Sequence, residues 1–297
     1  MVPSNAEKTH EQFYSCRHPE RFLPRWREFY AEALAKGLAL SQVFPHRRNL
    51  AYGTGPDQIL NLYLPDQPAD APRPVVLFLH GGFWNEGHPD YYDYFAEHWV
   101  RGGAVFISAG YRKEPEFTRA QCAEDAASVL QWVSEHADDL GIDPQRIFMA
   151  GHSAGGHLAA LASLTDIGRY AEGPVIEVAG LIFLSGVTDV KHWGSTDDLN
   201  PALWIRRAPA KILISYGDPE ENVIDQNLKA FLREGRLLYD ALIKFGASPR
   251  ILELGDTDHL HTALAFADSQ SELFAAAQEL VFPSRTARAV CTDQGVG

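Results

Sequence analysis

The residues best suited to chemistry in this chain begin with Gly151-His152-Ser153-Ala154-Gly155, a G-x-S-x-G segment. An apolar run, Arg146–Ala150, precedes it and a run of small residues follows. That setting predicts a sharp strand-to-helix turn with Ser153 at its tip, in strained backbone angles that present the hydroxyl. Glycine is needed on both flanks because a Cβ there would meet the neighbouring strand or helix. The N–H of Ala154 and the positive helix end would then face an oxygen on which negative charge develops. Upstream, His80-Gly81-Gly82-Phe83-Trp84 directly follows the apolar run Val75–Leu79. Paired glycines let backbone N–H groups approach a carbonyl oxygen, so Gly81, Gly82 and Ala154 are the expected oxyanion donors. His80 itself is expected to tie the loop by hydrogen bonds rather than to transfer protons.

A serine nucleophile needs a base and an orienting acid, and downstream of such a turn the order is acid, then histidine. The late segment Gly255-Asp256-Thr257-Asp258-His259-Leu260-His261 follows the apolar run Arg250–Leu254 and offers two histidines. His259 is the better candidate; His261 is the alternative, nearer the start of a helix. Two positions apart in an extended loop, their side chains would face opposite ways, so one of them at most faces Ser153. The acid is expected after the run Lys211–Tyr216, in Gly217-Asp218-Pro219-Glu220-Glu221. Asp218 leads, Glu220 is second, and Asp189 is a weaker alternative that a helix-capping role would explain. His152 is expected to pack beside the turn or line a pocket, and His157 to be a satisfied core histidine. Phe83, Trp84 and Trp193 are the expected pocket walls, with Trp193 in a segment where a lid would be inserted. Histidines and acids lack metal-ligand spacing such as H-E-x-x-H, so no metal and no organic cofactor is expected.

These residues must be positioned by their elements. Apolar β-branched runs (Ile59–Leu64, Val75–His80, Ala104–Ser108, Arg146–Ala150, Val178–Leu184, Lys211–Tyr216, Arg250–Leu254) alternate with helical stretches (Arg119–Ala137, Leu158–Leu164, Val223–Phe245, Thr262–Leu280). Strands apolar throughout, each followed by a helix, predict an α/β fold with a mostly parallel central sheet covered on both faces. A hairpin-like pair around GTGPD predicts an antiparallel edge. Residues 11–37 read as a helical N-terminal arm, and the last fifteen residues, with turn and small-residue character, as a fraying tail. The expected organisation is one domain over 1–297, with an arm of about 1–45 and a tail of about 283–297.

Thirty-nine acidic residues against 26 basic ones give a formal net charge of −13. Such a surface repels phosphates, which argues against nucleic acid and anionic membrane as partners. The serine chemistry implies a small-molecule ester or amide substrate instead. Three widely spaced cysteines, Cys16, Cys122 and Cys291, form neither a disulfide framework nor a zinc pattern. Cys122 reads as a small apolar filler on a helix. The N-terminal residues lack the apolar run of a signal peptide, and no stretch of about 18 apolar residues occurs. A cytoplasmic location is the expectation, and homo-oligomerisation is left open.

Taken in order, HGGFW, GHSAGGHLAA, LSGVTDV and GDTDHLHTAL resemble the kynurenine formamidase (arylformamidase) branch of the α/β hydrolases and the wider hormone-sensitive-lipase-like esterases. The phrase AYGTGPDQILNLYLP and the helical arm are similar too, so the resemblance spans roughly residues 11–282. It implies an α/β-hydrolase fold, a Ser153, Asp218, His259 triad, and an oxyanion hole from Gly81, Gly82 and Ala154. The chain departs from the formamidase pattern at Ala208-Pro209, where Ser-Pro is expected, and in its acid loop, GDPEENVIDQ. Both departures fall near the substrate pocket. The expected activity is therefore hydrolysis of carboxylic esters of small acyl groups, with arylformamidase activity as the alternative and a non-catalytic ligand-binding protein as a remote third.

Overall fold

The computed structural model describes residues 26–166, 175–195, 198–218 and 230–282. Among them, eight strands form one sheet: β1 (His46–Ala51), β2 (Ile59–Tyr63), β3 (Arg73–Leu79), β4 (Val105–Ala109), β5 (Ile142–His152), β6 (Gly180–Leu184), β7 (Lys211–Asp218) and β8 (Arg250–Gly255). Their spatial order is β1-β2-β4-β3-β5-β6-β7-β8. β1 and β2 form the antiparallel edge, β2 also meets β4 antiparallel, and every pair from β4 to β8 is parallel. The helices are α1 (Trp26–Ser41), α2 (Ala96–Arg101), α3 (Arg119–Glu135), α4 (Ala137–Leu140), α5 (Ala154–Leu164), α6 (Ala230–Phe245), α7 (His259–Ala265) and α8 (Glu272–Val281).

Strand side chains alternate between faces, and this sheet buries both. On one face Val75, Leu77, Leu79, Ile147, Met149, Leu181 and Phe183 join Val129, Leu158 and Leu238 of α3, α5 and α6. On the other, Val76, Phe78, Phe148, Ala150, Ile182 and Leu184 join Leu40 of α1, Trp99 of α2, Phe266 just past α7 and Phe274 of α8. Each such side chain withdrawn from water contributes about 1.5–3 kcal/mol, which is why strands of this kind read as unbroken apolar runs. Cys122 is buried on α3 and its thiol is pushed up to about 12, chiefly by burial; Cys16 and Cys291 lie outside the described residues.

Three elements differ from the sequence reading. The final helix is two helices, α7 and α8, because Ser271 caps a new start by accepting from the N–H of Phe274. Residues 85–103, to which the sequence reading assigns no element, form a 3-10 helix (Pro89–Phe95) and α2, buried through Tyr91, Tyr92, Phe95 and Trp99. The arm's helix runs on to Ser41 and is anchored there by a buried polar cluster. The Asn61 amide donates to Asp90 at 2.7 Å and to Asp93 at 2.9 Å, the Tyr63 hydroxyl donates to Asp93, and Arg48 pairs with both acids. Ser41 on α1 shares a 2.9 Å hydrogen bond with the Tyr63 hydroxyl. No helix among the described residues is long and apolar enough to cross a membrane.

Candidate active site

Ser153 stands between β5 and α5 with φ 56° and ψ −121°, a conformation that L-residues adopt only under constraint. The constraint is visible. A Cβ on Gly155 would lie 2.1 Å from the Leu79 carbonyl oxygen, and one on Gly151 would lie 2.3 Å from the Gly155 carbonyl oxygen. The Ser153 N–H donates to the Leu184 carbonyl at 3.0 Å, pinning the turn to β6. Ala154 opens α5, so its N–H belongs to the first turn, where no carbonyl within the helix can accept it. Gly81 follows β3, which pairs directly with β5, and a Cβ there would stand 3.2 Å from the Cβ of Ser153.

Ser153, His259, Gly81, Gly82 and Phe83 line a single cleft with a cavity of about 80 Å³. His259 is the first residue of α7 rather than part of an extended loop, and Asp258 caps that helix by accepting from the N–H of His261 at 2.8 Å. The two histidines still diverge, because two positions in a helix differ by about 200°. His259 is 8% exposed and faces the cleft, whereas the His261 side chain is 63% exposed and pairs with Asp258 at 2.7 Å. The His259 ring stacks on Phe231 of α6 at 3.9 Å between centroids and lies 4.4 Å from the His152 ring. Asp218 closes β7 opposite Gly255, the residue from which the His259 loop departs. Glu220 lies outside the described residues.

Trp84 requires correction as a pocket wall. It is 1% exposed and sits in the core: its indole N–H donates to Nδ1 of His157 at 3.2 Å, and Arg119 covers its ring at 4.2 Å. Left-handed angles at both Phe83 and Trp84 turn the chain so that one ring meets the cleft and the next goes inward. Trp193 is half-buried behind the cleft rather than on its lining, edge-on to Phe83 at 5.9 Å and 5.0 Å from Phe231. Asp189 caps the short helix Val190–Trp193. His157 is a satisfied core histidine, donating from Nε2 to the Leu199 carbonyl at 2.7 Å, whereas the equally buried His80 bonds through Nδ1 to the Gly81 carbonyl at 2.8 Å and its Nε2 has no partner among the described residues. Burial pushes their imidazoles down to about 4 and about 3.

Sequence reasoning missed four participants. Phe29 and Tyr30 of α1 and Tyr92 of the 3-10 helix also line the cleft, beside Glu86, His152 and Leu260, and Phe231 backs the histidine. Tyr30 is held by stacking on Tyr91 at 4.1 Å. The aromatic density of residues 26–30 and 91–95 is the only signal in the sequence, and aromatics are common in cores. A fifth group, Glu234, is a buried carboxylate on α6. It accepts from the N–H groups of Thr188 at 2.7 Å and Asp189 at 2.6 Å, and so holds the segment that carries Trp193. Burial raises its pKa, and those donors and Arg233 oppose the rise.

With this arrangement in view, comparison with known proteins is informative. Residues 60–229 match the sequence profile of the BD-FAE family. Carboxylesterase NlhH of Mycobacterium tuberculosis is 37% identical over 128 residues, 43% of this chain and 39% of that protein. Kynurenine formamidase of Danio rerio is 27% identical over 226 residues, 71% of this chain and 73% of that protein. The chain thus spans about two fifths of the length of the first esterase and about three quarters of the formamidase. Thermogutta terrifontis esterase 2, solved phosphorylated by paraoxon, aligns with a TM-score of 0.62 at 25% identity over 80% of this chain and 90% of that one. A thioesterase-like protein from Silicibacter sp. TM1040 shares the fold with a TM-score of 0.70 at 19% identity, covering 88% of this chain and 96% of that one.

Proposed function

We propose that this chain, which belongs to the BD-FAE family of α/β hydrolases, hydrolyses carboxylic esters of small acyl groups with Ser153 as nucleophile, His259 as base and Asp218 as orienting acid. The observation that carries the reading is the strained Ser153 turn opening onto the same cleft as His259 and the Gly81–Gly82 loop. In the proposed reaction the Ser153 oxygen attacks the acyl carbon while His259 takes its proton. The N–H groups of Gly81, Gly82 and Ala154 hold the oxyanion, and removal of one such donor typically costs about 2.7–4 kcal/mol. His259 returns the proton to the departing alkoxide, and water then cleaves the acyl-enzyme by the same steps in reverse roles. The enzyme is proposed to act in the cytoplasm, on a small-molecule ester or amide, without metal or organic cofactor.

One substrate series tests this: p-nitrophenyl esters from acetate to decanoate beside an N-formyl aryl amide. Short esters are expected to give the highest kcat/KM, and paraoxon is expected to phosphorylate Ser153 and no other serine, as judged by peptide mass spectrometry. Comparing Asp218→Asn with Glu220→Gln assigns the acid, with the larger loss expected at Asp218. A second reading, arylformamidase, is favoured by the span of the Danio rerio match. It replaces the first if the formyl amide outpaces every ester by about tenfold or more.

A further inference from the structure

His152 stands immediately before the nucleophile, and its imidazole joins three parts of the cleft. Its Nε2 lies 2.8 Å from the backbone carbonyl oxygen of His259. A carbonyl can only accept, so Nε2 carries the proton and donates across 107 positions of sequence. On its other edge, a Cβ on Gly81 would come within 3.0 Å of Nδ1, so the ring also abuts the glycine loop. Its ring lies 4.4 Å from the His259 ring, tilted by 39°, while Phe231 stacks on His259 at 3.9 Å. The His259 imidazole is therefore held between two rings, and its own backbone is fastened by one of them. Burial first, then the neighbouring His259, pushes the His152 imidazole well below the ordinary histidine range. It remains a neutral donor at working pH rather than a second base.

We infer that His152 is a positioning residue: its Nε2–H bond to the His259 carbonyl fixes the start of α7, and with it the direction from which the His259 ring meets Ser153. The inference rests on the proposed roles of Ser153 and His259. Position in the strand-to-helix turn supplies the physical reason. Ser153 and His152 share one rigid peptide unit, so whatever His152 grips is held in fixed relation to the nucleophile. α7 is only seven residues long and starts at His259 itself, which leaves its first turn dependent on contacts outside the helix. Misplacement of a reacting group by about 1 Å costs on the order of 100-fold in rate.

Two near-isosteric variants separate the hydrogen bond from the bulk. His152→Gln keeps an N–H near the position of Nε2, and His152→Met fills similar space with no donor. On a short p-nitrophenyl ester, His152→Met is expected to lower kcat by about 30-fold or more while KM stays within about threefold. His152→Gln is expected to recover kcat to within about fivefold of the parent. His152→Phe, a second donorless variant, serves if the Met chain does not fold, and thermal melting establishes folding in each case. A donorless variant that folds and keeps kcat within threefold overturns the inference. So does a Gln variant no faster than the Met variant, since the ring's packing and not its donor would then matter. Ser153→Ala and His259→Ala run alongside as controls. If either retains activity, the triad reading has failed; if both are inactive and the His152 variants are unaffected, the positioning role alone has failed.

Discussion

The two walls of the cleft are built by opposite means. The wall of the proposed nucleophile is local: Ser153 and its glycines lie within six consecutive residues, and a Cβ at Gly151 or Gly155 would meet backbone atoms at 2.3 or 2.1 Å. The wall of the proposed base is assembled from afar, with His259 from α7, Phe231 from α6 and the aromatics Phe29 and Tyr30 from α1, and His152 reaches across to it from beside Ser153. Geometry forced by backbone contact tolerates no substitution, whereas geometry composed of packed rings can be adjusted ring by ring. Chemistry is thus fixed on one side and selectivity left variable on the other.

The largest expected effect tests the fixed side. Ser153→Ala should keep the fold and lower turnover by about 10,000-fold or more on a short ester, because members of a triad act as a unit. A residual rate above a tenth of the parent would mean that another nucleophile operates. Next in size is Gly155→Ala, whose Cβ would lie 2.1 Å from the Leu79 carbonyl and 2.4 Å from the His80 carbonyl. Backbone must move, so a stability loss above about 4 kcal/mol or outright failure to fold is expected in urea titrations. A normally stable Gly155→Ala protein would refute the claim that this wall has no latitude.

That wall is also what the sequence made legible. Spacing and apolar runs identify the Ser153 turn, the glycine loop after β3, and a mostly parallel sheet with an antiparallel edge, because each depends on residues close in the chain or on faces apolar throughout; the order β1-β2-β4-β3-β5-β6-β7-β8 is legible only in the structure. The base wall was legible in part. The distance from the strand end favours His259 over His261, but the segment that the sequence suggests is an extended loop is the start of a helix capped by Asp258. Trp84 was misread because two consecutive left-handed residues reverse the expected side-chain directions, and nothing in His80–Trp84 announces that reversal. Phe29, Tyr30 and Phe231 were not found because their neighbours in space are far away in sequence.

A third expectation concerns acidity and spans both walls. His80, His152 and His157 have imidazoles pushed down by burial, the first to about 3 and the last to about 4. Between those values and the unfolded value near 6.5 the unfolded chain binds more protons, so stability rises with pH there and is lost as pH falls. Asp93 acts oppositely: burial raises its carboxyl from 3.8 to about 7, the folded chain binds more protons across that window, and stability falls as pH rises through it. Glu234, whose carboxyl burial also raises, adds to the effect of Asp93. Three imidazoles outweigh two acids, so Tm should climb from pH 4.5 to pH 6.5 in scanning calorimetry. A falling Tm over that range would put the buried acids in control.

Smaller effects belong to the adjustable side. Trp193→Ala removes a ring that supports both Phe83 and Phe231, and should change the ratio of kcat/KM for butyrate over acetate by about fivefold while melting shifts little. Sharp destabilisation with an unchanged ratio would make Trp193 a core residue and nothing more. The least effect is expected at His261→Ala, which breaks a largely exposed pair with Asp258. Activity should stay within about threefold of the parent and stability within about 1 kcal/mol. Loss of turnover there, with His259→Ala active, would reverse the assignment of the base.

The parallel run of β3 to β8 has a practical consequence for handling the protein. Gly81, Ser153, Asp218 and His259 all follow, or stand at, the ends of strands pointing the same way. The loops at the strand starts therefore lie at the far edge of the sheet, a strand's length of roughly 20 Å from the cleft. Residues 66–72 and the turn at Gly141 belong to that edge, where the Arg73 N–H reaches the Gly141 carbonyl at 2.8 Å. A dye, an affinity handle or a tether to a solid support placed at Asp70 leaves substrate free to enter. The same attachment at Leu260, which lines the cleft, would obstruct it.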